Sequence, residues 1–158
     1  LMEGILLGVV FALVLLLRAF AFPADAVLGR APDGTWHDPV YRPDAQPVQG
    51  LLVYRFSALL FFANANVFRE RIEARLARDP SIRAVVLDCG AIHDVDLMAC
   101  EMLAELEREL AARGIRLAFG DLRDRVKRDI LRGLELGPHM ADPTFSTVED
   151  AARAMVAT

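Results

Sequence analysis

The chain opens with a long apolar segment that carries no charged side chain between residues 4 and 17. Glu3 precedes this segment and Arg18 ends it, and the sequence that follows has the mixed polarity of a globular protein. Spanning a bilayer takes roughly 20 apolar residues. The pattern therefore predicts the end of a short or truncated transmembrane helix over residues 1–22 and a soluble domain over residues 23–158.

Two other interpretations of the apolar segment stay open at this point. A secretory signal peptide carries basic residues before its apolar core, whereas here Glu3 lies before the core and Arg18 lies after it. A buried core helix would show a similar composition. If the segment spans a membrane, Arg18 and Arg30 favour the cytoplasmic side for the domain that follows, because basic residues near a span prefer that side.

Short apolar runs alternate with amphipathic segments along the rest of the chain. The runs that are typical of strands cover residues 26–30, 36–41, 51–56, 59–62, 84–87 and 116–119. Helical spacing of apolar residues predicts helices over about residues 67–78, 97–113 and 123–134. A capping box over residues 146–149 predicts one more short helix. This alternation favours an α/β fold, a small sandwich with a mixed β-sheet and about four to five helices, preceded by part of a transmembrane helix.

Capping residues mark the ends of the predicted helices. Asn64 or Asn66 is suited to begin the first one, and Gly114 is placed to end the second one in left-handed geometry. The inward faces of the helices follow from apolar residues that recur every three or four positions, namely Phe68, Ile72, Leu76, Ala99, Leu103, Leu106, Leu110, Val126, Ile130 and Leu134.

No catalytic or metal-binding constellation emerges from the sequence. His37, His93 and His139 lie far apart and lack the spacing of metal ligands, and there is no phosphate-binding or dinucleotide motif. Cys89 and Cys100 are most simply reduced thiols of a cytosolic fold. We therefore expect no enzyme, metal or cofactor. The net charge of −4 argues against nucleic acid as a partner, because phosphate binding requires a concentrated basic face.

One loop stands out chemically, at residues 88–99, where a buried strand leads into a helix. Amides at such a helix start can hold an anion, but Asp94 and Asp96 disfavour a free one. In the simplest alternative, Asp96 caps the helix and Asp94 is solvated. Leu97 and Met98 follow, and they either form an exposed docking surface or are turned into the core.

Three stretches carry a family resemblance: residues 26–32, residues 51–65, and residues 86–88 together with 94–96. They resemble, in order, the opening strand, the central strands with the start of the first helix, and the strand and loop before the second helix of one domain. That domain is the STAS domain of the SulP family, the sulfate-permease-type anion transporters. The resemblance extends over nearly the whole chain and implies a small STAS-type sandwich.

The helix start departs from the pattern of free bacterial STAS proteins, the anti-sigma-factor antagonists. In those proteins a serine that serves as the phosphorylation switch follows the aspartate that corresponds to Asp96. Here Leu97 occupies the serine position, Met98 the next position and Ala99 that of the glycine. Leucine has no hydroxyl group, so we expect no phosphoacceptor. The resemblance leaves Asp94, Asp96, Leu97 and Met98 as a regulatory or partner-contact site.

The resemblance implies a cytoplasmic regulatory or assembly domain of a secondary transporter for sulfate, bicarbonate or a related small anion. Its expected location is the inner membrane, with the domain on the cytoplasmic side. The expected partners are the membrane domain of the same transporter, a second copy in a homodimer and a cytosolic protein. Two alternatives are a soluble regulator of the anti-sigma-factor-antagonist type and a nucleotide-binding sensor domain. Leu97 and the apolar N-terminus count against the first alternative.

Overall fold

The computed structural model of the protein describes residues 2–134 and 142–157. The N-terminal apolar segment forms one helix of 20 residues, α1 (Met2–Ala21). Its length and apolar composition are sufficient for a helix that crosses a membrane. Signal sequences and core helices of soluble proteins share these two properties. No residue of α1 is buried against the rest of the described chain, so α1 is not part of the core of the described domain.

A mixed sheet forms the centre of the domain that follows α1. The described residues contain the strands β1 (Asp25–Val27), β2 (Gly29–Arg30), β3 (Trp36–His37), β4 (Leu51–Phe56), β5 (Ala84–Asp88), β6 (Arg116–Gly120) and β7 (Thr144–Phe145). Five of them form one sheet in the order β1-β4-β5-β6-β7, in which β1 is antiparallel to β4 and the other pairs are parallel. β2 and β3 pair with each other as a separate antiparallel ribbon. The predicted mixed sheet is confirmed.

Within the described residues, four helices pack against this sheet: α2 (Ala65–Arg78), α3 (Leu97–Ala112), α4 (Asp124–Gly133) and α5 (Val148–Val156). The apolar stripes of α2, α3 and α4 share the larger core with side chains from β4, β5 and β6. The residues of α5 and of the β2–β3 ribbon form a second core with the alternate side chains of the same strands. Because side chains alternate across a strand, these two cores lie on opposite faces of the sheet.

Aromatic side chains from β4 and α2 belong to the larger core. The ring of Phe68 meets the rings of Tyr54 and Phe56 edge to face, with centroids 5.7 and 5.1 Å apart. β5 is buried at every position. This burial explains its continuous apolar run, since a strand between two parallel neighbours is covered on both faces.

Glu149 joins the β2–β3 ribbon to α5. Its carboxylate accepts hydrogen bonds from the Arg30 guanidinium at 2.7 Å and from Trp36 Nε1 at 2.9 Å. The Trp36 ring is buried in the second core together with Ala151 and Ala152. The ribbon therefore closes this face of the sheet together with α5.

The predicted strand over residues 26–30 is divided in two. β1 pairs with β4 up to Val27, and β2 turns away to pair with β3. At Gly29 the chain passes so close to Ala45 that a Cβ atom would lie 2.7 Å from its backbone carbon, so only glycine fits here without a shift. The predicted extended run over residues 59–62 is also wrong, because only Leu60 forms a single bridge, with Val95.

The helix boundaries are close to the predicted ones, with two differences in capping. Gly114 has a φ of 71° and ends α3 as predicted. Asn64 occupies the N-cap position of α2, but its side chain does not cap the helix. The last capping box lies one residue later than predicted, because the Thr147 hydroxyl accepts from the Asp150 amide at 3.0 Å and donates to its carboxylate at 2.8 Å.

Candidate functional site at the start of helix α3

The loop between β5 and α3 and the first turn of α3 hold the four predicted site residues, Asp94 and Asp96 in the loop and Leu97 and Met98 in the helix. Ile92 and Val95 are buried and attach the loop to the core. A backbone bridge joins it to the neighbouring loop after β4, with the Leu60 amide donating to the Asp94 carbonyl at 3.3 Å and the Asp96 amide to the Leu60 carbonyl at 3.4 Å. The two loops thus lie side by side at the carboxyl edge of the parallel strands.

Asp96 is the N-cap of α3. One carboxylate oxygen accepts from the Ala99 amide at 2.8 Å, and the other accepts from the Phe62 amide at 2.9 Å. The predicted capping role of Asp96 is confirmed. An N-cap side chain typically contributes about 0.5–2 kcal/mol. Because the second oxygen also holds the neighbouring loop, Asp96 fixes the position of both loops.

Asp94 lies at the rim of this site with about half of its side chain exposed to solvent. Its carboxylate is 3.6 Å from the guanidinium of Arg125 on α4. An exposed ion pair of this kind contributes about 0–1 kcal/mol. Asp94 is therefore largely solvated, and its main effect is the negative charge that it adds to the rim.

Leu97 and Met98 are exposed at the first turn of α3. Their exposed fractions are 72% and 57%, so the alternative that they belong to the core is wrong. Phe62 and Leu59, in the loop that Asp96 holds against α3, are 67% and 42% exposed. We call these four residues the mouth patch. Contiguous exposed apolar side chains of this kind mark interaction surfaces.

The end of α1 lies against the same loops. Phe20 lines a cavity together with Leu59, Phe61 and Asp94. The fully buried side chain of Asn64 donates to the carbonyl oxygens of Leu59 at 2.8 Å and Phe20 at 3.2 Å. Its own oxygen accepts from the Phe61 amide at 3.0 Å. Asn64 thus joins the last turn of α1 to the start of α2.

Arg71 makes a second attachment between the domain and the residues after α1. Its guanidinium donates to the Pro23 carbonyl at 2.6 Å and to the Asp25 carboxylate at 2.9 Å. The Tyr54 hydroxyl donates to the same carboxylate at 2.9 Å, and burial raises the pKa of Tyr54 above its ordinary value. No local sequence pattern indicates this role, because the partners of Arg71 lie more than 40 positions away.

Two aspartates lie at the same edge of the sheet, Asp88 as the last residue of β5 and Asp121 directly after β6. Asp88 is buried, and its carboxylate binds the Arg55 guanidinium at 2.7 Å and the Gly90 amide at 3.0 Å. Burial raises the pKa of Asp121, and the nearby Asp88 carboxylate raises it further. Together with Asp94, these carboxylates make the edge unfavourable for a free anion.

The cysteines and histidines do not form a reactive centre among the described residues. Burial raises the pKa of the Cys100 thiol to about 11 and also raises that of Cys89, so both thiols are protonated at neutral pH. His37 Nε2 lies 2.7 Å from the Thr35 hydroxyl, His93 is exposed in the loop, and His139 lies outside the described residues. No described group of three His, Cys, Asp or Glu side chains could hold a metal ion.

The sequence profile of the STAS domain matches residues 42–151, which is more than half of the chain. The chain belongs to the STAS domain family. The matched region of this STAS chain includes the mouth patch, α3 and α4. A probable sulfate transporter of Mycobacterium tuberculosis is 37% identical to it over 157 residues, which cover 96% of this chain and 27% of that protein. The STAS chain spans about a quarter of the length of the relatives that it matches.

Solved structures show the same fold. The murine Slc26a9 anion transporter in the inward-facing state matches 99% of this STAS chain and 26% of its own, with a TM-score of 0.84 and 24% identity. The STAS domain of a SulP transporter from Vibrio cholerae matches 75% of this chain and 90% of its own, with a TM-score of 0.54 and 17% identity. The relatives are transporters in which a membrane domain accompanies the STAS domain.

Proposed function

We propose that this chain is the STAS module, with the end of the last transmembrane helix, of a SulP-type secondary transporter for a small anion. Sulfate, bicarbonate or a related ion is the proposed substrate class. The observation that carries the proposal is the 37% identity to the probable sulfate transporter of M. tuberculosis over 96% of the chain. That alignment is long enough to include most of α1 as well as the domain.

The proposed arrangement places residues 1–22 in the inner membrane and residues 23–158 on its cytoplasmic side. The exposed apolar surface of α1 supports the first part. Arg18 and Arg30 support the second part, because basic residues near a span favour the cytoplasmic side. The transport site would lie outside this chain, since substrate sites of secondary transporters lie near the bilayer midplane between discontinuous helices.

The proposed role of the module is assembly or regulation of the transporter through direct contact. Residues 94–101 contain no serine, threonine or tyrosine, so a phosphoryl group has no acceptor there. The mouth patch offers four exposed apolar side chains instead. The proposed partners are the membrane domain of the same protein, a second copy in a homodimer and a cytosolic protein.

The alternatives make different predictions. A regulator of the anti-sigma-factor-antagonist type requires a phosphoacceptor where Leu97 stands. A nucleotide-binding sensor would release or absorb heat when ATP is titrated into residues 23–158 in a calorimeter, and we expect no such heat.

Uptake of radiolabelled sulfate by the full-length transporter tests the proposal. Leu97→Ser with Met98→Ser removes half of the mouth patch, and Val40→Ser with Tyr41→Ser alters an even more exposed apolar pair elsewhere. In cells without their own sulfate uptake, we expect the unaltered protein and the control to transport. The mouth variant should lose about half of the uptake or more, as expected when central contacts of an interface are removed.

The domain stability of both variants should stay within about 0.5 kcal/mol of the parent, because surface substitutions rarely cost more. Equal uptake by the two variants would contradict the role of the mouth patch. Failure of the unaltered protein to take up sulfate or bicarbonate, although it is abundant in the membrane, would contradict the assignment as a transporter.

A further inference from the structure

We propose that the basic face of α4 binds the anionic phosphate headgroups of the membrane in which α1 ends, while the apolar side chains of the mouth patch contact the lipid beside them. The partner of this combined surface is thus a lipid surface, and a contact of the mouth patch with a protein alone is the competing outcome of the test below. The inference rests on the membrane attachment of α1 proposed above. It adds a lipid contact to the part of the domain that lies beside the bilayer.

Positive charge is concentrated on α4 in an otherwise acidic chain. Residues 123–132 include five basic and two acidic side chains, whereas the whole chain has a net charge of −4. Arg125, Arg128 and Arg132 are exposed. Their spacing of three and four residues places them on one face of the helix, away from its buried apolar stripe.

Internal ion pairs leave much of this charge unbalanced. Within residues 2–134 and 142–157, Arg128 and Arg132 have no carboxylate oxygen within 4.0 Å. Arg125 has only the exposed Asp94 carboxylate, at 3.6 Å. Arginine binds phosphate through two parallel hydrogen bonds, so these side chains are suited to an external anion of that shape.

The basic face continues into the mouth patch and from there to α1. Arg132 lines one cavity together with Val95, Leu97 and the two acidic residues Asp96 and Asp129. Val95 and Asp96 also line the neighbouring cavity that reaches Phe20, in the last turn of α1. One continuous surface therefore runs from the end of the proposed membrane helix across the mouth patch to α4. Where α1 leaves the bilayer, this surface is adjacent to the headgroups.

The composition of this surface suits a lipid interface. Apolar side chains that enter the boundary between headgroups and acyl chains, flanked by basic residues, are typical of surfaces that lie on a membrane. Attraction to anionic lipids grows with each basic residue and is screened by salt within about 10 Å at 0.1 M ionic strength. An apolar contact with another protein would not depend on the lipid charge, and this difference separates the two kinds of partner.

Hydrogen–deuterium exchange of the whole chain in nanodiscs tests the proposal. One set of discs contains phosphatidylcholine alone, and the other contains phosphatidylcholine mixed with phosphatidylglycerol. In the anionic discs we expect the amides of residues 97–101 and 124–133 to exchange at least about threefold more slowly than in the phosphatidylcholine discs. This slowing should disappear at high salt.

The triple variant Arg125→Gln, Arg128→Gln and Arg132→Gln should abolish the slowing. Exchange in the phosphatidylcholine discs should not change, because the three side chains are exposed.

A matched control removes the same charge far from this surface. Arg75→Gln, Arg78→Gln and Arg108→Gln alter the later turns of α2 and α3, and this variant should keep the slowing in anionic discs. Equal protection in both kinds of disc, or protection that survives in the triple variant of α4, would overturn the lipid contact. Failure of the chain to enter either disc would instead contradict the membrane attachment, so the two proposals fail in distinguishable ways.

Discussion

Asp96 and Asp121 lie at the same edge of the sheet, yet their carboxylates meet different surroundings. Both oxygens of Asp96 accept backbone amides. Asp121 lies close to the buried Asp88 carboxylate, and both burial and this neighbour raise its pKa. The local structure thus stabilises the Asp96 carboxylate through hydrogen bonds, whereas it disfavours the ionised form of Asp121.

Asp121→Asn should stabilise the domain at pH 7. Asparagine keeps the shape of the side chain and tolerates the left-handed φ of 58° at this position. The pKa of Asp121 is higher in the folded chain than its ordinary value of 3.8. The ionised side chain therefore lowers stability as the pH rises through the folded pKa, and the gain from the substitution should vanish below pH 3.8.

Urea unfolding at neutral and at acidic pH measures this difference. Glu70→Gln, which neutralises an exposed carboxylate on α2, is the control and should change stability little at either pH. A loss of stability at pH 7 in Asp121→Asn would contradict the unfavourable placement of this charge.

At the scale of elements, α5 approaches β6 more closely than side chains usually permit. A Cβ atom at Gly120 would lie 2.8 Å from the Val148 Cα and 2.9 Å from its nitrogen. The first turn of α5, which Thr147 caps, thus packs directly on the strand backbone. Only glycine fits between these two elements without a shift of the helix.

Gly120→Ala should cost about 1–3 kcal/mol, as for other overpacked cores. The fluorescence of Trp36 should change as well, because its ring lies in the same apolar cluster as α5 and its Nε1 donates a hydrogen bond to Glu149 of that helix. Thermal unfolding followed by circular dichroism checks the first effect. Ser146→Ala, which alters an exposed side chain beside the same helix, is the control. Unchanged stability of Gly120→Ala would show that α5 has room to move.

Sequence patterns predicted those elements whose signals are local. The boundaries of β4 are correct to the residue, because an apolar run followed by a break is visible in the sequence alone. The two-residue strand β7 was missed, since it exists only through pairing with β6. At the site, Asp96 was recognised as a cap, whereas the contact of Asn64 with Phe20 joins residues 44 positions apart. Pairing and contacts over such distances leave no periodic pattern.

At the scale of the whole molecule, the described domain has a core that does not depend on α1. Both apolar clusters are built from residues after position 26. We expect residues 23–158 to be soluble without α1 and to unfold in a single cooperative transition. The Asn64 side chain would lose one of its three hydrogen bonds, at a cost of about 0.5–1.5 kcal/mol. Thermal unfolding checks this, and a broad transition or obligatory aggregation would contradict an autonomous domain.

The attachments made by Asn64 and Arg71 also have a mechanical consequence. Without them, Pro23 and Ala24 would act as a hinge that absorbs any tilt of α1. With both contacts in place, α1 and the domain would move as one rigid unit, in which the helix of 20 residues is about 30 Å long. A change in the tilt of α1 would then rotate the domain through the same angle, and a contact that rotates the domain would tilt the helix.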